Sequence, residues 1–305
     1  MLEQQMFTGC GTAMVTPFGR DGALDEADLI RLINRQIDAG INFLVPCGTT
    51  GESPTLSREE HLRVVELTVD VAKGKVPVLA GAGGYNTAEV IALAGELVSI
   101  GVDGILSVTP YYNKPTQEGL YQHYRAIASA TTLPIILYSV AGRTGVNIEP
   151  PTVKRLAGID NIIGIKEASG SIAQMASILN IVPEDFIVLS GDDAIALPLI
   201  ALGGCGVISV VSNEIPVEMT HLFTLCLDGD FEAAREVQRR YQTLMEVNFV
   251  ESNPIPVKAA MAEMGLLEPV WRLPLVAPKA ENQERVHSVL ASLGLIERVH
   301  AAVTN

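Results

Sequence analysis

Aromatic residues and cysteines are scarce in this sequence, and each shortage excludes a kind of protein. Phe, Trp and Tyr together make up 5% of the 305 residues, whereas 48% are hydrophobic. The cysteines Cys10, Cys47, Cys205 and Cys226 form no CxxC pair and no disulfide-like spacing. We interpret them as small buried apolar residues, and we expect a protein of the reducing cytoplasm.

The chain also lacks long apolar runs and an excess of positive charge. No run approaches the ~20 apolar residues that span a bilayer, and the first residues carry neither the basic nor the apolar region of a signal peptide. The formal net charge of -14 repels nucleic-acid phosphates and anionic membranes. We therefore expect neither nucleic acid nor a membrane as partner, and small anions only in a local cationic pocket.

What the sequence does contain is a repeat of short β-branched runs, each followed by a helical pattern. Ser57 with Glu60, and Asn86 with Glu89, have the spacing of capping boxes at helix starts. The candidate strands cover residues 8–15, 43–47, 76–81, 104–108, 134–140, 162–168, 186–191 and 206–211. Strands that alternate with helices form a parallel sheet, and eight such units predict an α/β fold, a (β/α)8 TIM barrel.

After the eighth strand the pattern becomes purely helical, at residues 216–227, 231–249, 256–264 and 282–302. We predict a (β/α)8 catalytic barrel over residues 1–224 and a C-terminal helical extension over 225–305, of the kind that covers a barrel or builds a subunit interface. A doubly wound dinucleotide-binding sheet has little support, because Gly81-Ala82-Gly83-Gly84 lacks GxGxxG spacing.

One lysine, Lys166, lies inside the otherwise apolar run 162–168. The two-residue period of a strand predicts that Ile163 and Ile165 share one face, and that Gly164, Lys166 and Ala168 share the other. From this segment alone, a strand end that extends its ammonium into solvent is the simpler interpretation. In a barrel, however, helices cover the isoleucine face, and Lys166 then points inside.

Reactive side chains of such barrels gather at the carboxyl ends of the strands. The predicted ends carry Lys166, Arg143, tyrosines and hydroxyls but no histidine, which disfavours a metal site. A lone lysine at such a place indicates a Schiff base with a carbonyl substrate, because a neutral amine attacks carbonyl carbon. The enamine that follows needs a proton shuttle, and Tyr138 at the end of the preceding strand is a candidate.

Two loops offer groups for a carboxylate. Gly48-Thr49-Thr50-Gly51 could supply hydroxyl and backbone N–H donors, although an ordinary turn explains this sequence equally well. Arg143, in Gly142-Arg143-Thr144-Gly145, could form two parallel hydrogen bonds. Before its neighbours are considered, a surface arginine is the simpler interpretation.

Together these motifs resemble the dihydrodipicolinate synthase and N-acetylneuraminate lyase family, which are pyruvate-dependent class I aldolases. The segments Gly48-Thr49-Thr50-Gly51-Glu52, 138–145 and 164–168 occur in the family's order and spacing. Two later segments add support, Asn253-Pro254-Ile255-Pro256-Val257-Lys258 and Arg272-Leu273-Pro274. The resemblance implies a lyase on a TIM barrel. It also implies no metal and no cofactor beyond the covalent imine between Lys166 and pyruvate.

The resemblance further assigns catalytic roles. Lys166 would form the Schiff base with pyruvate, and Tyr138 would shuttle protons. Thr49 would link Tyr138 to Tyr112, and in the family this second tyrosine reaches the site from a neighbouring subunit. The resemblance therefore implies a homotetramer, arranged as a dimer of dimers.

The same resemblance assigns substrate contacts. Thr50 would bind the pyruvate carboxylate, helped by Gly191 and Ile208, and Arg143 would bind the carboxylate of the second substrate. The motifs favour L-aspartate 4-semialdehyde in that position, the chemistry that opens the diaminopimelate and lysine pathway.

The family's usual Tyr-Asn-Val-Pro is here Tyr138-Ser139-Val140-Ala141. Without the proline, the loop that leads to Arg143 should be freer. This departure leaves open another pyruvate-type aldolase, namely an N-acetylneuraminate, 2-keto-3-deoxy-sugar-acid or 4-hydroxy-2-oxoglutarate lyase. A noncatalytic carboxylate-binding member would not need the complete proton relay.

Many bacterial members bind lysine at the subunit interface as a feedback inhibitor, and the resemblance extends in part to that site. The positions that match are Ser53, His61, Glu89 and Tyr111. The positions that differ from sensitive enzymes are Pro54, Arg58 and Tyr85. The sequence therefore leaves lysine inhibition open.

Overall fold

The computed structural model describes residues 6–297, and over this range the predicted TIM barrel is confirmed. Its strands are β1 (Gly9–Ala13), β2 (Phe43–Val45), β3 (Leu79–Gly81), β4 (Gly104–Val108), β5 (Ile135–Ser139), β6 (Ile162–Glu167), β7 (Ile187–Ser190) and β8 (Gly206–Ser209). They pair in parallel in the order β2-β1-β8-β7-β6-β5-β4-β3. A parallel bridge between Leu44 and Val78 then joins β2 to the start of β3, which closes the barrel.

Helices follow the strands and continue beyond β8. They are α1 (Glu26–Asp38), α2 (Arg58–Ala72), α3 (Thr87–Ile100), α4 (Gln117–Ala130), α5 (Ala141–Thr144), α6 (Pro150–Leu156), α7 (Ile172–Leu179), α8 (Ala196–Ala201), α9 (Pro216–Leu227), α10 (Phe231–Val247), α11 (Ile255–Glu263) and α12 (Ala280–Leu293). The predicted domain boundary at 224/225 falls inside α9. Among the described residues, no helix is long and apolar enough to cross a bilayer.

The capping signals are borne out in one of two cases. The Ser57 hydroxyl accepts from the Glu60 backbone N–H, and the Glu60 carboxylate accepts from the Ser57 N–H, which is the complete capping box. The predicted box at Asn86 is wrong. Its side-chain oxygen accepts from the Ala88 backbone N–H, and its side-chain amide donates to the Glu89 carboxylate, so the Asn86 side chain closes a local turn in place of the reciprocal box.

Glycine in the left-handed region ends several helices, as Gly101 does for α3 with φ 90°. Gly294 ends α12 in the same way, with φ 72°. The predicted helix over 282–302 is therefore wrong at residues 294–297, and its part from 298 to 302 lies outside the described residues. Glycine has no Cβ, so it adopts the left-handed conformation that ends the helix without steric strain.

Side chains of the barrel separate into an inner cluster and an outer one. The inner cluster includes Phe43, Ile136 and Leu189, while the outer cluster packs the strands against the helices. Phe43 can fill the interior because Gly11 lies opposite, where an added Cβ would come within 2.1 Å of the ring. The interior of the barrel is thus a packed core.

The prediction that Ile163 and Ile165 share a face is wrong. Ile165 lies in the outer cluster, as does Ile162, whereas Ile163 lies in the inner one. A register shift between β5 and β6 is the reason, because Ile135 pairs with Ile162 while the next residue, Ile136, pairs with Gly164. Ile163 is the additional residue of this β-bulge. After the bulge the normal alternation holds.

The cysteines are free, as predicted for small apolar residues. Cys10, Cys47 and Cys226 are buried, whereas Cys205 is half-buried. Burial raises the pKa of Cys226 to about 11, so its thiol stays protonated near neutral pH.

Candidate active site

Lys166 and Tyr138 lie side by side on paired strands. β5 and β6 pair these two residues directly, after the bulge, so both side chains point into the barrel. The Lys166 Nζ lies 4.4 Å from the centre of the Tyr138 ring, and each residue is 6% exposed. The amine and the phenol are therefore held close together and largely shielded from water.

A small cavity of about 110 Å³ opens at Lys166. It is lined by Thr49, Thr50, Tyr138, Val140, Arg143, Lys166, Ala168, Gly191, Asp192, Val210, Phe249 and Asn253. Gly191 leaves room for the lysine, because a Cβ at that position would lie 3.0 Å from the Lys166 Cε. The cavity is of the size that a three-carbon acid would fill.

Thr49 and Thr50 reach this cavity from the turn between β2 and α2. The turn is tight, with Cys47 at φ 55° and Glu52 at φ 52°. The Thr50 hydroxyl accepts a 2.9 Å hydrogen bond from the Asn253 side-chain amide, and Thr50 is 3% exposed. Its position is thus set by a residue that lies far away in the sequence.

Arg143 lies on the short helix α5 and lines the cavity from its mouth. Its Nη2 donates to the backbone carbonyl of Asn253 at 3.1 Å, and the residue is exposed. The neighbouring Thr144 hydroxyl accepts from Thr109 and anchors α5 to the end of β4. A guanidinium in this place can bind an anion beside the lysine.

A larger cavity of about 340 Å³ adjoins the first and shares Thr49, Tyr138 and Arg143 with it. Three of the predicted regulatory positions line it: Ser53, His61 and Tyr111. Burial lowers the pKa of His61 to about 4, so its ring is neutral at pH 7 and contacts the Gly81 carbonyl at 3.0 Å. Glu89 does not line this cavity and contacts Asn86 instead.

Two predicted site residues lie elsewhere. Tyr112 is 89% exposed and has φ 67°, so the single chain does not bring its hydroxyl to Tyr138. Ile208 packs in the inner cluster and does not line the cavity. Val210, two residues later, lines it instead.

Asn253, Phe249 and Val210 line the cavity without having been predicted as site residues. Asn253 has the strongest claim, since it contacts both Thr50 and Arg143 and its side-chain oxygen is buried without a partner. The segment Asn253-Pro254 was part of the resemblance to the family, and this was the only sign in the sequence that Asn253 could belong to the site. Periodicity could not show that the extension reaches the mouth of the barrel.

Behind the catalytic strands, a buried polar network connects β5 to β6. Ser139 donates to Asn147, whose side chain exchanges hydrogen bonds with Gln174, and Gln174 donates to Glu167 at 2.8 Å. Burial raises the pKa of Glu167. Ser139, which replaces the family's usual asparagine, therefore faces this network and not the cavity.

The sequence model described as the dihydrodipicolinate synthetase family matches residues 6–293. The chain belongs to this family. The prediction of membership from the three motifs is thereby confirmed, and the strand-borne lysine and tyrosine lie in a barrel of the family's type.

Individual members of the family agree over nearly the whole chain. A 4-hydroxy-tetrahydrodipicolinate synthase of Koribacter versatilis is 51% identical over 96% of this chain and 98% of its own length. The crystal structure of dihydrodipicolinate synthase from Thermotoga maritima gives a TM-score of 0.93 at 46% identity, and covers 95% of this chain and 100% of that one.

A third member was crystallised with pyruvate. It is the chloride-inhibited dihydrodipicolinate synthase of Acinetobacter baumannii, which is 43% identical with a TM-score of 0.93 and covers 95% of this chain and 99% of that one. The family membership, the fold and the cavity at Lys166 therefore all favour the chemistry predicted from the sequence, a Schiff base between Lys166 and pyruvate.

Proposed function

We propose that this chain is a 4-hydroxy-tetrahydrodipicolinate synthase, which condenses pyruvate with L-aspartate 4-semialdehyde. The observation that carries the proposal is the pairing of Lys166 with Tyr138 at the wall of a cavity of about 110 Å³. The relatives' names support it over nearly the whole chain.

The first half of the reaction uses Lys166. Its neutral amine attacks C2 of pyruvate, and loss of water leaves an iminium. The iminium draws electrons from the adjacent methyl group, so a proton leaves C3 and an enamine forms. Tyr138, whose ring contacts the lysine, is the group that carries protons to and from these atoms.

In the second half, the enamine carbon attacks the aldehyde carbon of the semialdehyde and a carbon–carbon bond forms. The substrate's own amine then attacks the imine carbon, which closes the ring and releases Lys166. Thr50 binds the pyruvate carboxylate beside Gly191, and Arg143 binds the carboxylate of the semialdehyde, because Thr50 and Arg143 are hydrogen-bond donors that line the cavity. Ile208 packs in the inner cluster and has no contact with pyruvate in this scheme.

The proton relay requires a second copy of the chain. Tyr112 is too exposed to serve its own barrel, so we assign it to a neighbouring subunit, where Thr49 connects it to that subunit's Tyr138. We propose a homotetramer built from two such dimers. No metal and no separate cofactor has a part in this scheme.

The larger cavity is our candidate for a lysine-binding regulatory site, formed by Ser53, His61 and Tyr111 with Glu89 nearby. Calorimetric titration with L-lysine tests this assignment, and binding that survives His61→Ala and Tyr111→Phe would contradict it.

Borohydride trapping tests the central proposal. Reduction of the imine with borohydride should leave a 1-carboxyethyl group on the Lys166 Nζ, detectable as a mass increase on the peptide that contains it. An unmodified protein would refute the Schiff-base chemistry. Turnover of aspartate semialdehyde, followed with a coupled reductase, decides the second substrate.

The rival aldolases differ in the aldehyde that they release. The replacement of the usual asparagine and proline by Ser139 and Ala141 is the reason to test them, although Ser139 faces the network behind β5. Retro-aldol activity on a sugar acid, without turnover of aspartate semialdehyde, would favour the alternative.

A further inference from the structure

A buried ion pair connects the C-terminal extension to the turn that carries Thr49 and Thr50. Lys258, on α11, places its Nζ 2.6 Å from the Glu52 Oε1 and 3.1 Å from the Thr16 carbonyl oxygen. Both side chains of the pair are 0% exposed. The pair is therefore withdrawn completely from water.

The surroundings leave neither charge without a partner. The Lys258 ammonium lies 4.4 Å from the centre of the Phe18 ring, and the second oxygen of Glu52 accepts from the backbone N–H of Arg272. A buried pair of this kind is a poor source of stability, since well-packed apolar residues do as well or better. Stability alone therefore does not explain why a buried ion pair is found at this position.

That place is the base of the catalytic turn. Glu52 follows Thr50 by two residues and has φ 52°, a left-handed conformation that a residue with a side chain seldom adopts without outside contacts. Thr16 joins the two parts of this contact. Its backbone carbonyl accepts from Lys258, and its side-chain hydroxyl donates to the Gly51 carbonyl at 2.7 Å. One ammonium thus fixes the turn at Glu52 and, through Thr16, at Gly51.

We propose that Lys258 and Glu52 are positioning residues for pyruvate, which hold the turn so that Thr50 faces the cavity at Lys166. Neither residue lines that cavity, so they act through the turn. This proposal rests on the proposed function of the site, because it assumes that pyruvate is the ligand that Thr50 binds.

The double substitution Glu52→Gln/Lys258→Met tests the proposal. It removes both charges together while it keeps the side-chain lengths, so no unpaired charge stays buried. We expect the KM for pyruvate to rise at least about tenfold, with kcat changed less than about threefold, because uniform binding of pyruvate is lost. Borohydride trapping at low pyruvate should slow by a similar factor.

Glu60→Gln is the matched control. It weakens a second ion pair between the barrel and the extension, Glu60 with Arg272, and glutamine preserves the capping box of α2. This variant should keep the wild-type KM for pyruvate. A rise equal to that of the double variant would show a general loosening of the extension and would overturn the proposal.

The outcomes separate this proposal from the function itself. If the wild-type protein traps no pyruvate, the proposed function fails. If it does, and the folded double variant keeps the wild-type KM, the positioning role alone fails. Should the double variant not fold, Lys258→Arg decides, since it retains the charge but not the point contact with Thr16. An unchanged KM in that folded variant would overturn the proposal.

Discussion

The proposed catalytic residues on strands and the proposed one on a loop are held in different ways. Lys166 and Tyr138 are each 6% exposed, and the hydrogen bonding of β5 to β6 alone aims them at one another. Tyr112, which belongs to the proposed proton relay, is 89% exposed on the loop after β4. A strand supplies direction through its own backbone, whereas a loop residue needs contacts from elsewhere.

Arg143 and the Thr49-Thr50 turn are intermediate between these two cases. Neither lies on a strand, since Arg143 is on the short helix α5 and the threonines are in a turn, yet Asn253 of the extension contacts both Arg143 and Thr50. Contacts from a distant segment thus do for these residues what strand pairing does for Lys166. In the proposed homotetramer, the corresponding contacts of Tyr112 come from another copy of the chain.

The largest effect should follow the loss of the strand-borne amine. Lys166→Ala should abolish the pyruvate adduct and lower kcat by at least about 10³-fold, because no other group can form the imine. Mass spectrometry after borohydride treatment measures the adduct, and the coupled assay measures kcat. Lys154→Ala, at an exposed lysine of α6, should behave as the wild type. An adduct that persisted in Lys166→Ala would place the nucleophile elsewhere.

A smaller loss is expected at the loop residue that depends on a second subunit. Tyr112→Phe should lower kcat by about 10²-fold, the usual contribution of one proton-transfer group. Sedimentation should show the same oligomer as the wild type, and Tyr121→Phe should leave the rate unchanged. Full activity of Tyr112→Phe would show that Tyr112 takes no part in proton transfer, and full activity of isolated monomers would show that the site needs no second subunit.

Arg143→Ala separates the two substrates. The pyruvate adduct should form at the wild-type rate, while kcat/KM for aspartate semialdehyde should fall about 10- to 100-fold, because one charge-assisted contact is lost. Arg155→Ala, at the end of α6, is the control. If the adduct were also lost, Arg143 would belong with Lys166 and not with the second substrate.

The smallest effect concerns the attachment of the extension at acid pH. Arg272 holds the pKa of Glu60 at about 2, below its usual value near 4.5. Because the folded-state pKa is depressed, the stabilisation is complete above pH 4.5 and is lost as the pH falls toward 2. Glu60→Gln should cost about 0.5–1 kcal/mol at pH 7 after solvent screening, and nothing near pH 2.

Thermal unfolding of both proteins at pH 7, 4 and 2.5 measures this difference. Arg63→Gln is the control. Arg63 lies on the same helix as Glu60 and forms exposed ion pairs with Glu26 of α1 and with Glu66, neither of which belongs to the extension. A gap between wild type and Glu60→Gln that did not narrow with acid would contradict the pKa assignment.

Most of the barrel could be predicted from the sequence because its signals are local. The β-branched runs, the capping box at Ser57 and the glycine at Gly101 each act within a few residues. Lys166 and Tyr138 were predictable for the same reason, since strand alternation and the rule for strand ends fix where they point. Neither prediction needed knowledge of a distant contact.

The remaining features depend on contacts between distant segments. The place of Ile163 could not be predicted, because a bulge follows from how β5 and β6 fit together. Asn253 and Lys258 were missed for a similar reason, as they act on residues about 200 positions earlier in the chain. That the Asn86 side-chain oxygen accepts from the Ala88 backbone N–H, and not from that of Glu89, is a finer choice between two local turns.

The bulge at Ile163 also bears on how this chain can change length in evolution. A bulge absorbs one additional residue without altering the pairing that follows, so Gly164 and Lys166 keep their partners Ile136 and Tyr138. A one-residue insertion or deletion before Gly164 can therefore be tolerated. A deletion between Gly164 and Lys166 has no such buffer. It would turn the lysine out among the helices and bring Glu167 into the barrel, where an acid would replace the nucleophile.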